Sequence, residues 1–427
     1  MTLPDQVDVL VIGAGPAGTA SAALLAQAGV SCAVVEKQRF PRFVIGESLL
    51  PRSMETLEEA GLLEAVRARG YQVKRGATFL RGTDRCGFDF GDAYTPGWTW
   101  TWQVPRADFD HTLAKAVEAR GVPVAWEHEV TALQAPPEGY DPARDAPGPV
   151  VTLKGPEGTR EIAARWVVDA SGWGRVLPRL LGLEVPSGQP SRRARFTHVA
   201  GDLRPPGDEG GRIWVCLHPG GAWIWIIPFA DGTTSIGVVA PEAFWEALPD
   251  DPEASLRAAL DGDANARARL AGTRFLWPPR ELRGYSAAVQ RVWGPGYHLV
   301  GNATEFLDPV FSSGVTLALE SARMSVPVLL DALQGRSADW EGRYARPLDE
   351  GVDVFRTYVD TWYDGSLPEV FFADDGDDEA RFRPQICSVL AGYVWDHTNP
   401  FVRHHRRRLR QAHRMVVRRA AEGASAP

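Results

Sequence analysis

Residues 7–18 read VDVLVIGAGPAG, and the stretches behind them, TASAALLAQAG (19–29) and SCAVVE (31–36), decide the fold. Residues 7–13 are a short apolar run rich in β-branched side chains, the pattern of a strand buried in a parallel sheet. Glycines follow at positions 13, 15 and 18, then helical spacing as far as Gly29, then a second apolar run ending in Glu36. Strand, glycine-rich turn, helix, strand and an acidic residue about 20 positions on make a dinucleotide-binding unit. Gly13 permits the tight turn, Gly15 lets the backbone approach a pyrophosphate, and Gly18 lets helix and strand pack closely. The helix start, with Pro16 and Ala17, offers unsatisfied N–H groups to the phosphates. Glu36 is expected to accept hydrogen bonds from the adenosine ribose. The turn alone does not choose between FAD and NAD. Two later segments do. RWVVDASGWGR (165–175) is another buried strand ending in Asp-Ala-Ser-Gly, and GYHLVGNATEFLDPVFSSGVTLALESA (296–322) gives strand, glycine-rich loop and a helix of small residues. One phosphate turn with contacts from far along the chain suits FAD.

Composition narrows the partners. With 427 residues the chain has room for two or three domains, and its net charge of -8 argues against a nucleic-acid or anionic-membrane partner. The four cysteines, Cys32, Cys86, Cys216 and Cys387, form no CxxC pair and no metal-ligand spacing, which is the usage of a reducing cytoplasm. No metal site is expected. The N-terminal MTLPDQ lacks a basic region, so no signal peptide is expected. No apolar run is long enough for a transmembrane helix.

The three nucleotide-binding segments predict a discontinuous domain over residues 1–75, 100–185 and 286–332. Residues 76–99 and 186–285 alternate apolar and polar in GATFLRG, GFDFGDAY, RARFTHVAGDL, RIWVCLHP, AWIWIIPF and TTSIGVVA, the pattern of antiparallel strands. Such an inserted sheet forms the other wall of an active site. Residues 333–427 read as helical. Within them FADDGDDEARF (372–382) is an acidic loop or helix start. HHRRRLRQAHRMVVRR (404–419) reads as an amphipathic helix with a solvated basic face before a frayed tail, or as a surface for a partner or membrane.

In AWIWIIPF (222–229) the strand period of two puts Trp223 and Trp225 on one face and Ile224 and Ile226 on the other, and Pro228 ends the run. The indoles are either ordinary core or two large, rigid walls of a site. Arg106, in VPRADFDHTL, opens a helix after a strand. It either contacts the pyrophosphate or pairs with Asp110 one turn on.

Taken together, the motifs resemble the flavin-dependent halogenases, a branch of the FAD monooxygenase superfamily. GAGPAG (13–18), FPRFVIGESLLP (40–51), the WxWxIP pattern at Trp223, Trp225 and Pro228, and the FxxPxxSxG pattern at Phe306, Pro309, Ser312 and Gly314 carry the resemblance across most of the chain. The implied fold class is α/β: an FAD-binding Rossmann-like domain of the para-hydroxybenzoate hydroxylase type, an inserted antiparallel substrate sheet and a helical C-terminal region. Further cofactor contacts are implied at Lys37, Ile45, Gly46, Glu47, Ser48, Val130, Asn302, Pro309, Gly314 and Val315. YQVKRGATFLRG (71–82) is similar to the family's K-x-G-A-T-F stretch and places Lys74 at the lysine between flavin and substrate. The base-rate reading of Lys74 is an exposed strand-start lysine beside Arg75. The indole pair is implied to keep a flavin hydroperoxide from the substrate. The loop before the last nucleotide-domain helix is implied to hold halide at Ser313 and Gly314, or else only to contact the flavin ring.

Two positions depart from the family pattern. Asn302 stands where most members carry aspartate, which removes a charge near the flavin. Phe311 stands where the free-tryptophan halogenases carry glutamate, which points to activated phenol or pyrrole substrates, free or tethered to a carrier protein. The implied reaction is FADH2- and O2-dependent. A flavin C4a-hydroperoxide and chloride or bromide give hypohalous acid, which Lys74 conveys to an electron-rich aromatic carbon. With one dinucleotide turn visible, reduced flavin is expected from a separate NAD(P)H-dependent reductase. Two other enzymes fit the same frame: a geranylgeranyl-reductase-like flavoprotein acting on C=C bonds, and an FAD-dependent aromatic hydroxylase. Halogenation needs halide and O2, hydroxylation O2 alone, and reduction neither. The histidines, His198 among them, read as structural or surface residues.

Overall fold

The computed structural model describes residues 3–373 and 382–424. Most of the acidic stretch 372–382 and the last residues of the C-terminal tail lie outside them.

Two sheets organise the chain. In the first, β1 (Gln6–Ile12) lies at the centre, with β2 (Cys32–Glu36) on one side and the strand Gly158–Asp169 on the other, all parallel. Val124–Trp126 extends the β2 edge and Tyr297–Leu299 extends the other, again parallel. Helix α1 (Pro16–Gln27) crosses between β1 and β2. It starts at a proline that has no N–H to lose and stops at Gly29, whose φ of +75° favours glycine. Its small residues allow close approach. A Cβ on Gly301 would lie only 3.2 Å from the Cβ atoms of Ala17 on α1 and Ala318 on the long helix Ser313–Leu333.

The second sheet is almost wholly antiparallel. Its strands run in the order Arg274–Phe275, Arg193–Ala200, Thr233–Ala240, Trp223–Pro228, Ile213–Leu217, Gly76–Arg81 and Asp84–Asp89. The one parallel pair joins Ile213–Leu217 to Gly76–Arg81, so strands more than a hundred residues apart share an edge. Its two faces are both buried and belong to different cores. Trp223, Trp225 and Ile227 join the large core against the nucleotide domain and the C-terminal helices. Ile224 and Ile226 join a separate core covered by the helices Pro252–Asp261 and Ala264–Arg269. Each buried apolar side chain here contributes on the order of 2 kcal/mol, so the period-two pattern of this strand is satisfied on both sides.

Helices dominate after residue 333. Arg346–Tyr363 packs its apolar face inward, and the basic run forms the helix His405–Ala424, which buries Leu409 and Ala412 and leaves most of its arginines exposed. Among the described residues no helix is long and apolar enough to cross a membrane.

Candidate active site

A cleft of ≈570 Å³ opens at the C-terminal ends of the parallel strands and runs to the second sheet. That is a cofactor-sized site in the usual place for this architecture. Gly13, Gly15, Pro16 and Ala17 line one end, and two glycines of this turn leave no room for a side chain. Gly13 has φ +101°, and a Cβ there would lie 2.5 Å from the Ala170 carbonyl oxygen. Gly18 lies behind the lining, where a Cβ would sit 1.9 Å from the Gly13 carbonyl oxygen. The helix N-cap, Gly15, brings no side-chain cap, so the first N–H groups of α1 face the cleft. Glu36 is held by backbone donors, Ala14 N–H at 3.0 Å and Gln38 N–H at 2.9 Å, leaving carboxylate lone pairs for a ribose diol. Asp169, buried, accepts from the N–H groups of Ser171 and Leu177 and so shapes the Asp-Ala-Ser-Gly turn whose Ala170, Ser171 and Gly172 also line the cleft. A glycine cradle, an oriented acid and an open helix N-terminus fit FAD.

Lys37, Ile45, Gly46, Glu47, Ser48, Arg106, Val130, Asn302, Pro309, Gly314 and Val315 lie on the same cleft. Arg106 lines it with its charge already engaged. Its guanidinium pairs with Asp110 at 2.7 and 3.0 Å and donates to the carbonyls of Ile45 and Gly46. The pairing one turn on is thus what the structure shows, and Arg106 acts by pinning the 45–46 backbone. The cation nearer the turn is Arg42. It shares Asp110, lies over the Phe40 ring, and its second terminal nitrogen sits 3.7 Å from where a Gly15 Cβ would be. Sequence reading passed over it, although it lies inside the quoted FPRF stretch.

At the far end of the cleft Trp223 and Trp225 both line the wall, their rings 5.7 Å apart. Room for Trp225 comes from its cross-strand partner. Gly237 lies opposite it, and a Cβ on Gly237 would be 2.2 Å from the indole. The Trp225 N–H donates to Ser235 on the same neighbouring strand at 3.1 Å.

Lys74 is 2 % exposed, so the exposed reading fails. Its strand, Gln72–Lys74, pairs with one edge of Thr101–Gln103, and the Glu47–Leu49 backbone bonds the other edge of Thr101–Gln103. This sandwich turns the ammonium inward. Nζ donates to Ser48 Oγ at 2.8 Å and Leu49 O at 2.9 Å and lies over the Phe90 ring at 5.3 Å. No carboxylate pairs with it among the described residues, and burial pushes its pKa down to about 7. Lys74 does not itself line the cleft; it stands one hydrogen bond behind Ser48, which does.

The loop before the long helix has the form of a spent nest with an open end. Val310 N–H goes to Asp308, and Ser312 N–H goes to Pro309 O. Ser312 takes a left-handed φ of +57°, and the helix starts at Ser313. Gly314 lines the cleft and Ser313 is buried beside it. Asn302 sits in the 3-10 turn Gly301–Ala303, close to Gly314. Phe311 faces away from the cleft, its ring against Tyr358 and Trp362.

Two further groups escaped sequence reading. His198, expected to be structural or surface, is buried and pairs with Glu47 at 2.9 Å beneath Phe229 and Trp277. Asp308 and Tyr285, both buried, and the half-buried Tyr363 form a cluster behind Trp223. Each joins positions too far apart for spacing to signal. Among the described residues there is no cluster able to hold a metal ion.

Known proteins resemble this chain in sequence and fold. A 1H-pyrrole-2-carbonyl peptidyl-carrier-protein chlorinase of Pseudomonas fluorescens is 28% identical, over 91% of this chain and 89% of its own length. The structure of a flavoprotein/dehydrogenase from Cytophaga hutchinsonii superposes with a TM-score of 0.91 at 46% identity, over 96% of this chain and 98% of that one. The myxobacterial chondrochloren halogenase CndH, described as a variant of FAD-dependent halogenases, superposes with a TM-score of 0.73 at 27% identity, over 93% and 92%. A family profile described as an FAD binding domain matches residues 6–244, more than half of the chain, and shows that the protein belongs to the FAD-binding flavoproteins, with flavin-dependent halogenases among its relatives.

Proposed function

We propose that this enzyme halogenates an electron-rich aromatic ring of the phenol or pyrrole class, with Lys74 conveying the electrophilic halogen. FAD, supplied in reduced form by a separate NAD(P)H-dependent reductase, provides hypohalous acid from O2 and halide. The carrying observation is Lys74: a buried amine without a carboxylate partner, one hydrogen bond behind the cofactor cleft. Because burial lowers its pKa to about 7, much of it is the neutral amine near neutral pH. A neutral amine is a nucleophile and an ammonium is not. Its lone pair takes the halogen from hypohalous acid with release of water; the aromatic ring then takes the halogen from nitrogen, and the ring proton returns to the amine.

The tryptophan strand supports the same reading. The two indoles line the cleft from the second sheet, and in this scheme they pass a small oxidant and hold the aromatic ring away from the flavin. Ser313 and Gly314, at the helix start after the Val310 and Ser312 N–H groups that already have acceptors, are the halide donors in this scheme. Gly13, Gly15, Pro16, Ala17, Gly18 and Glu36 hold the adenosine diphosphate half of FAD, with Arg42 beside the pyrophosphate. Residues 76–99 and 186–285 form the substrate domain. Phe311 supports an activated ring that needs no acidic residue at this position. By analogy with the Pseudomonas fluorescens chlorinase the substrate is carrier-bound.

One observation favours a second reading. The Cytophaga hutchinsonii relative, at 46% identity, is described as a flavoprotein/dehydrogenase, so an FAD-dependent oxidoreductase without halide chemistry shares this frame. The deciding experiment incubates purified protein with FAD, a flavin reductase, NADH, O2 and bromide over phenols, indoles and free or carrier-bound pyrroles. The expected result is a bromine isotope doublet in the product, absent from Lys74→Ala. Oxygenated product without halide, or turnover of an unsaturated substrate under anaerobic conditions, would replace the proposal with the hydroxylase or the reductase reading.

A further inference from the structure

Trp223 and Trp225 share a strand face, yet they are held by different parts of the molecule. Trp225 is fixed within its own sheet, by Ser235 and by the space over Gly237. Trp223 is held from outside it. Its indole N–H donates to the Tyr363 hydroxyl at 2.9 Å, and Tyr363 donates onward to Asp308 Oδ2 at 2.8 Å. The direction is set by chemistry, because an indole nitrogen only donates and a tyrosine has one proton to pass on. Tyr285 donates to the same Asp308 oxygen at 3.0 Å, and Val310 N–H donates to the other at 3.0 Å. All of Asp308's partners are therefore neutral donors, and the cation that acts on the cluster, Arg192, lies over the Tyr363 ring at 3.2 Å. Asp308 is 2 % exposed and Trp223 3 %.

The chain of bonds ties three separate pieces together. Trp223 comes from the second sheet, Asp308 from the cleft loop before the long helix, and Tyr363 from the last turn of the helix Arg346–Tyr363. We propose that Tyr363 and Asp308 are positioning residues that latch the Trp223 indole to the cleft loop, so that the outer wall and the halide-side loop are held as one unit. The consequence for turnover rests on the reading of Trp223 as a wall between flavin and substrate; the latch itself does not. Removing the Tyr363 hydroxyl leaves a buried indole N–H without its acceptor, and the ring leaves its position to find water or another partner.

The test reads the latch in protein without cofactor. With 15N-labelled tryptophan, and the Trp223 indole signal assigned from Trp223→Phe, hydrogen exchange of that N–H is measured in wild type, Tyr363→Phe, Asp308→Asn and Tyr285→Phe. Exchange is expected to accelerate roughly tenfold or more in Tyr363→Phe and by a smaller factor in Asp308→Asn, and to stay near wild type in Tyr285→Phe, which leaves the Trp223–Tyr363 bond in place. Unchanged exchange in folded Tyr363→Phe overturns the latch, and equal acceleration in Tyr285→Phe overturns it too, since that would be general loosening. A second arm, with FAD, flavin reductase, NADH, O2 and bromide, counts halogenated product against hydrogen peroxide per flavin reoxidised. A fall in product with a rise in peroxide supports the latch acting through the wall. Accelerated exchange with an unchanged ratio keeps the latch and sinks the wall reading instead.

Discussion

The glycine end of the cleft is built from neighbours in sequence and mostly from backbone. Ala14 reaches Glu36, and Gly18 meets Gly13, within a single strand–turn–helix–strand unit. The tryptophan end is built from side chains that arrive from everywhere. Lys74 meets Ser48, Trp223 meets Tyr363 across 140 residues, and Glu47 meets His198 across 151. At Gly13 and Gly18 the first wall tolerates no added atom because backbone fills the space. The second depends on which polar atom finds which partner. Under the proposed function the contrast makes binding of FAD and use of its oxidant separable, so that mutation can pull them apart.

The largest separation is expected from Lys74→Ala. Product should fall by roughly a thousandfold, the range over which one positioned group contributes to chemistry. FAD affinity, followed by flavin fluorescence, should stay within about twofold, because Lys74 stands behind Ser48 and off the cleft. A large loss of FAD binding in this variant would break the comparison.

Gly13→Ala tests the opposite wall. At φ +101° with a carbonyl oxygen 2.5 Å from the new Cβ, the turn must deform. FAD affinity should drop by about a hundredfold, which titration of the apoprotein would show. Product should fall with it and recover in part at saturating FAD.

Gly237→Ala is a smaller intrusion at the tryptophan end. Its backbone suits any residue, so the effect comes from the contact with Trp225 at 2.2 Å. Urea unfolding should show a loss of about 1–3 kcal/mol, typical of overpacking. FAD affinity should be retained while peroxide rises at the expense of product. Retained coupling would show that the second indole is core and no barrier.

A last effect is on stability against pH. Burial lowers the Lys74 pKa from 10.5 to about 7 in the folded chain. Between these values the unfolded chain holds a proton that the folded chain has released. Stability therefore rises with pH across that window, by up to ~1.4 kcal/mol per pH unit from this group. Lys74→Met keeps the bulk and removes the titration, so its stability profile from pH 7 to 10 should be flatter than wild type by that slope. Identical profiles would mean that the lysine is not desolvated.

Legibility in the sequence follows the same division. GAGPAG with Glu36 could be read because turn, helix start and acid lie close in the chain, and the period-two pattern of AWIWIIPF announced a strand with indoles on one face and isoleucines on the other. Arg42 went unread because its role depends on Asp110, a residue on another helix that it shares with Arg106. Arg106 carried two possible partners in the sequence, and only the fold showed its guanidinium on Asp110. His198 showed no sign of its partner at all.

By itself the sequence determined a parallel α/β nucleotide unit, an inserted strand-rich region and a lysine of a recognisable pattern. Each of these is a local matter of period, turn conformation and residue type. Only the tertiary structure decided that Lys74 is buried with no carboxylate partner among the described residues, that Gly237 makes room for Trp225, and that Trp223 hangs from Tyr363 and Asp308. The reason is physical. Local spacing fixes backbone geometry over a few residues, whereas burial and hydrogen-bond partners depend on which distant strands and helices share a boundary, and that boundary exists only once the two sheets and the C-terminal helices have packed together.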